Sequence, residues 1–246
     1  MKKDSSTECW NQVEIDNWID VAQKNDFRQY FIMPYTLQKL GNISKKQILD
    51  LGCGEGGYSR ALANRGAVVT AVDCSETLLS YVDESSKREG LSIETLLRNA
   101  NELDDIPDSK YDIVLSSMML MDVEDLDGTL KEIYRVIKPR GKVFISILHP
   151  CYKPKESKWI FENGKIKVII ENYFRPIEWV GEIKGIDVPI VYRHRTLSDY
   201  VKAFVKNGFT LVDINEPIPT KEQTCMSPRI VWLSQIPMYL FIELEK

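Results

Sequence analysis

A doubly wound, Rossmann-like α/β sheet is the fold class predicted for this 246-residue chain. Three observations predict it. Gln47 to Ser75 reads as a βαβ unit: a short apolar strand (Ile48, Leu49) ending in Asp50, a glycine-dense turn, a helix from about Gly57 and Tyr58, and a strand from Ala67 to Val72 ending in Asp73. Further apolar runs follow at Ile93 to Leu97, from Asp112 and at Val143 to Leu148, with helical stretches between them. Apolar content of 43% and charged content of 28% are those of an ordinary globular domain.

The turn holds the chemistry. Gly52 and Gly54 remove side chains where the backbone turns tightly and lies close to a ligand, and the next helix points its free N–H groups at that ligand. Gly52, Gly54 and Gly57 spell the dinucleotide pattern G-x-G-x-x-G, with Asp73 placed to hold a ribose as in an NAD enzyme. Gly52, Gly54 and Gly56 equally spell D-x-G-x-G-x-G from Asp50. Spacing alone leaves both cofactors open.

Composition narrows the partners. A net charge of −4 argues against a general nucleic-acid binder. Residues 76–132 carry 15 acids against 5 bases, whereas residues 151–195 carry 9 bases against 6 acids. The first segment reads as a solvated acidic face, and the second as either surface charge or a device for a substrate carboxylate or phosphate. Cys9, Cys53, Cys74, Cys151 and Cys225 are odd in number and form no C-x-x-C pair, which suits a reduced, cytoplasmic protein. The start lacks a signal-peptide core, and the longest apolar run, Ile113 to Met121, is too short to span a membrane. The two histidines stand far apart without acids at ligand spacing, so no metal site is expected.

In order, residues 10–40 read as helices interrupted at Pro34 and stopped at Gly41. Ser75 caps a helix over 76–88 with Gly90 as its stop. Lys138 to Gly141 is the expected turn between a helix over 126–137 and strand five. That strand delivers His149 to the carboxyl edge, where open α/β sheets hold their ligands. Asn163-Gly164 and Lys184-Gly185 mark two hairpins in an insertion over 151–195, whose Trp159, Phe161, Tyr173, Phe174, Trp179 and Tyr192 serve as an apolar roof or a dimer interface. Thr196 with Asp199 caps a helix ending at Asn207 and Gly208. Strands over 210–215 and 238–244 finish the chain.

LDLGCGEGGYS with AVDCS resembles motif I of the class I S-adenosylmethionine-dependent methyltransferases. The resemblance implies a seven-stranded sheet whose last strand is antiparallel and inserted between its neighbours, and an N-terminal helical lid over 1–45. It implies cofactor contacts from Asp50, Gly52, Cys53, Gly54, Asp73 and Cys74, with both ribose hydroxyls on Asp73. Asn99-Ala100 stands where relatives carry Asp-Ala for adenine; the Asn99 amide oxygen still accepts, with one charge fewer. Ser116 and Met118 at the exit of strand four, and Tyr30 or Tyr35 from the lid, complete the expected cofactor site. Many relatives carry a His at the position of Met121, so one acid–base group is missing. HRTLSDYVKAFVKNGF is similar to a segment in a bacterial small-molecule subgroup. His149 and His194 are therefore the candidates for substrate contact or proton transfer, each with a structural hydrogen bond as the competing role. The expected reaction is methyl transfer to a small-molecule O, N or C nucleophile by a monomer or homodimer. A peptide methyltransferase and a non-catalytic cofactor-binding protein are the alternatives.

Overall fold

The computed structural model describes residues 5–151, 157–181 and 190–246. Three short helices, α1 (Ser5–Trp10), α2 (Ile15–Gln23) and α3 (Met33–Leu40), precede the sheet, with a π-helical turn over Arg28–Ile32 joining the last two. Pro34 lies in the first turn of α3, where its missing N–H costs nothing. The core alternates β1 (Gln47–Leu51), α4 (Gly57–Asn64), β2 (Val68–Asp73), α5 (Glu76–Arg88), β3 (Ile93–Leu97), β4 (Tyr111–Ser117), α6 (Leu126–Val136) and β5 (Ile137–Leu148). Then come β6 (Ser157–Glu162), β7 (Lys165–Ile170), β8 (Glu178–Gly181), β9 (Ile190–Arg193), α7 (Leu197–Lys206), β10 (Thr210–Asn215), α8 (Lys221–Met226) and β11 (Tyr239–Glu245).

Seven strands form one sheet in the order β10-β11-β5-β4-β1-β2-β3. Strands 1 to 5 pair in parallel, and β11 lies antiparallel between β5 and β10. This is the inserted last strand that the resemblance implied. The order reverses between β1 and β4, and the carboxyl ends of those two strands flank that crevice. Both faces of the sheet are covered, so its strands read as continuous apolar runs. Leu49, Leu51, Val114, Ile145 and Ile147 pack with Leu130 and Ile133 of α6 on one side. Ile48, Val69, Ile113 and Leu115 pack with Leu62 of α4 on the other. Each such side chain contributes about 1.5–3 kcal/mol of burial.

Local chemistry sets the element ends. The Ser75 hydroxyl accepts from the Leu78 N–H, and Thr196 with Asp199 forms a reciprocal capping box on α7. Asn163 (φ 52°) and Gly164 (φ 73°) both adopt the left-handed region that a two-residue hairpin turn between β6 and β7 requires. The pairing of β8 with β9 agrees with a second hairpin, but its expected Lys184-Gly185 turn lies outside the described residues.

Two expectations are corrected. Lys138 to Gly141 is not a free turn: β5 begins at Ile137, and its register with β4 shifts between Tyr111 and Ile113, so those residues bulge from a continuous strand. Hydrogen bonds from Arg140 N–H to the Lys246 carbonyl and from Lys246 N–H to the Gly141 carbonyl hold the bulge. The aromatic roof is also smaller than expected. Phe161 and Phe174 are 69% and 86% exposed, and Trp159 packs edge-on against Trp232 of a 3-10 turn over Pro228–Ser234. Only Trp179 and Tyr192, stacked at 5.5 Å, face the carboxyl edge.

Candidate active site

A chamber of about 780 Å³ opens at the carboxyl ends of β1, β2, β3 and β4, within the roughly 300–1,000 Å³ range of small-molecule sites. Asp50, Gly52, Cys53, Gly54, Asp73, Cys74, Asn99, Ala100 and Met118, all expected from the sequence, line it together. Gly52, Gly54 and Gly56 have φ of 74°, 56° and 77°, conformations that cost side-chain-bearing residues strain. Gly52 and Cys53 donate their N–H groups to the Val72 carbonyl, which folds the loop back over β2.

Three buried carboxyls surround the loop. Asp50 accepts the Ser59 hydroxyl at 2.5 Å, and burial pushes its carboxyl up to about 6. Asp73 accepts the Gly54 N–H at 2.8 Å and the Ser75 N–H at 3.0 Å; burial raises its carboxyl, and these backbone donors offset part of the rise. Glu55 bridges Arg28 and Arg60 and accepts from the Gly57 N–H. The two arginines outweigh its burial and hold it below the usual carboxylate range.

Several expected residues fall elsewhere. Ser116 is fully buried and absent from the chamber wall, whereas Ser117 lines it; successive strand residues face opposite ways. Tyr30 packs beside Phe31 and Ile32 in an apolar cluster, and Tyr35 lies 4.5 Å from the Phe241 ring. The aromatics that reach the chamber from the N-terminal helices are Trp10 and Trp18.

Neither histidine lines the chamber. The His149 Nδ1 accepts the Cys151 N–H, which leaves the ring proton on Nε2, 2.7 Å from Glu216. Burial lowers its pKa and Glu216 opposes that shift. The His194 Nε2 lies 2.7 Å from the Tyr173 carbonyl, an acceptor only, so the proton sits on that nitrogen. Both rings therefore brace loops. His149→Gln is expected to leave the affinity for S-adenosylhomocysteine within about twofold. It should lower Tm by roughly 3–8 °C, the loss of a part-buried hydrogen bond, as calorimetry and melting would read.

The basic segment also has a different use. Arg193 donates to the hydroxyls of Ser5 and Ser6 and to the Asp122 carbonyl, and pairs with Glu178 and Glu124. Arg195 donates to the carbonyls of Leu120, Val123 and Glu124. These cations clamp the loop after β4 and fasten α1 to it. Thr7 of α1 meanwhile donates to the Asn99 amide oxygen at 2.9 Å.

Two polar atoms of the chamber residues are buried without a partner, the Trp18 indole N–H and the Asp122 Oδ1. A Cβ at Gly54 would lie 3.6 Å from that indole nitrogen, so the donor sits directly over the glycine loop. An unmet donor, glycines that admit close approach and two strand-end acids suit a polar, adenosine-bearing ligand. Among the described residues no group of His, Cys, Asp and Glu is placed to hold a metal ion. No helix of the described residues is long and apolar enough to cross a membrane.

Fold, loop and chamber resemble those of the class I S-adenosylmethionine-dependent methyltransferases. Residues 49–145 match the model of a methyltransferase domain. A ubiquinone biosynthesis O-methyltransferase of Pseudomonas savastanoi is 35% identical over 44% of this chain and 46% of its own length. The chain thus spans about half of the curated relatives it matches first. An uncharacterized protein of Haemophilus influenzae is 26% identical over 94% of this chain and 95% of its own. The crystal structure of an S-adenosylmethionine-dependent methyltransferase from Mesorhizobium loti superposes with a TM-score of 0.75 at 25% identity, covering 92% of this chain and all of that one.

Proposed function

We propose that the protein transfers the methyl group of S-adenosylmethionine to a small-molecule O, N or C nucleophile. The observation that carries this reading is the shape of the chamber. The cofactor-type loop forms its floor, while Trp10, Trp179 and Tyr192 wall the remaining space with aromatic surface. A flat, apolar acceptor fits such walls. Curated relatives are named ubiquinone biosynthesis O-methyltransferases, and that name supports a small-molecule acceptor here.

S-adenosylmethionine is the co-substrate and supplies a methyl on a sulfonium, whose leaving group is a neutral thioether. The protein's share is to bind, orient and exclude water. Asp73 would accept from the ribose, Asn99 and Ala100 would meet the adenine, and the Gly52–Gly54 backbone would hold the methionine portion. Trp18 closes the loop from above and offers its indole N–H. Met118 and Met119, at the exit of β4, keep the reacting end apolar.

Calorimetric titration with S-adenosylmethionine, S-adenosylhomocysteine and NAD tests the reading. Micromolar binding of both sulfur compounds and none of NAD is expected, with Asp73→Ala weakening both by a hundredfold or more, since it removes a charged acceptor from a buried site. A folded sample that binds neither sulfur compound would sink the reading.

A further inference from the structure

The loop after β4 carries an acid that the glycine motif does not use. Asp122 is 6% exposed and lines the chamber beside Met121 and Val123. Its N–H donates to the Met119 carbonyl, and Met119 lies so close to Gly52 that a Cβ there would collide with it. Asp122 is therefore one turn of chain from the residue that packs on the glycine loop. The Trp10 indole bonds one carboxyl oxygen, while Oδ1 has no partner. The backbone is held firmly, by Arg193 on the Asp122 carbonyl and by Arg195 on the carbonyls either side.

An unpartnered oxygen on a buried acid is expensive unless a ligand completes it. The same chamber is walled by Trp10, Trp179, Tyr192 and Met121, side chains suited to an apolar ring. Resting on the methyltransferase reading, we propose that Asp122 is the catalytic proton acceptor for an aromatic acceptor bearing a hydroxyl. The hydroxyl proton passes to the Asp122 carboxylate as the acceptor oxygen forms its bond to the methyl carbon. The carbon–sulfur bond breaks with its electron pair staying on sulfur. Sulfonium and carboxylate become neutral thioether and neutral acid, and the acid later gives its proton to water. Mutual neutralisation of two charges is favoured in a chamber of low dielectric.

Asp122 accepts a proton only in its ionised form, which sets in as pH rises. Burial pushes its carboxyl up to about 8, against the opposing pull of Arg193 from β9 and Arg195 beyond it. The other groups facing it are Trp10 of α1 and Tyr200 of α7. Glu124 and Glu178 pair with Arg193. A folded-state value above the unfolded one means that stability present at low pH is lost as pH rises toward 8. The acid thus weakens the fold at the pH where it works, as functional groups often do.

The test compares S-adenosylmethionine with S-adenosylhomocysteine, which differ only in the methyl and the sulfonium charge. The sulfonium also lowers the pKa of the ligand's own ammonium, so the pH dependence is read as the difference between wild type and Asp122→Asn. If Asp122 faces the reacting centre, the affinity ratio of the two, read by calorimetry from pH 6.5 to 9, rises toward S-adenosylmethionine by roughly tenfold, one pKa unit of coupling. Asp122→Asn keeps the shape and the Trp10 contact, and its ratio supplies the ligand-only baseline that wild type should exceed. Its melting temperature relative to wild type should climb across the same range. The same slope in wild type and in Asp122→Asn overturns the proposal. So does a folded Asp122→Asn that binds neither ligand, because Asp122 would then belong to the cofactor cradle. Wild type that binds neither ligand fails the methyltransferase reading and carries this proposal down with it.

Discussion

Gly52→Ala is expected to abolish measurable binding of S-adenosylmethionine and to lower Tm by roughly 5–15 °C. Two costs combine at this position. With φ at 74° the residue is left-handed, which costs a residue with a Cβ about 1–2 kcal/mol. The new methyl would also overlap Met119 Cγ and stand 2.8 Å from Met119 Cβ. Overlap of that kind in a packed interior costs about 1–3 kcal/mol, and a domain of this size loses about 2–4 °C per kcal/mol. Binding suffers more than stability, since relief moves either the loop backbone or Met119, and both line the chamber. The double variant Gly52→Ala with Met119→Ala separates the two costs. It should recover the overlap part of the Tm loss through a favourable coupling between the sites, while affinity stays low because the backbone remains displaced. A Gly52→Ala protein that binds the cofactor normally would show that the loop does not approach its ligand closely.

The loop was legible from sequence because its requirements are local. A left-handed turn needs glycine, a strand end shows as Asp50 or Asp73 after an apolar run, and a helix start shows as Ser75 or Thr196. Asn163-Gly164 was legible for the same reason. The chamber walls were not, because their facing depends on packing between distant segments. Trp10 and Trp18, rather than Tyr30 and Tyr35, reach the site, and only the docking of α1 and α2 decides which ring points inward. Ser116 lost its expected place to Ser117 through strand alternation, a one-residue matter of register. His149 stands at the predicted strand end, but Glu216, 67 residues later in the chain, captures its ring. Asp122 carried one sequence signal, an acid directly after Met121 where an acid–base group was missed. That its Oδ1 has no hydrogen-bond partner is visible only in three dimensions.

Glu55→Ala is expected to remove about 3–5 kcal/mol of stability, one of the larger single-residue losses available to this chain. Glu55 is 2% exposed, and its two oxygens are divided: Oε1 takes Arg28 and the Gly57 N–H, Oε2 takes Arg60. Arg60 donates further to the Glu55 carbonyl and to the Ser85 hydroxyl. Removing the carboxylate strands Arg28, 17% exposed, and takes from Arg60, 12% exposed, one of its two ion pairs, the other being with Glu89 at 3.2 Å. Breaking a buried pair from one side costs more than the pair itself contributes, and this is the reason for the size of the effect. Glu55→Gln, which keeps the shape and part of the hydrogen bonding, should lose less. The sign of the pH dependence follows from the lowered carboxyl. Its contribution is present above the unfolded value of about 4.5 and disappears as pH falls below it. Wild type should therefore lose more stability than Glu55→Ala between pH 6 and pH 3, and urea melts at the two pH values measure the difference. The consequence for function runs through Arg28. It sits on the π-helical turn between α2 and α3, lines the chamber, and also donates to the Ala22 carbonyl. Glu55 thus couples the N-terminal helices to the glycine loop. Without it, Trp18 loses its fixed place over Gly54, and weaker binding of S-adenosylhomocysteine should accompany the lower Tm. Unchanged affinity in a destabilised Glu55→Ala protein would show instead that the helices hold their place over the loop without this ion pair.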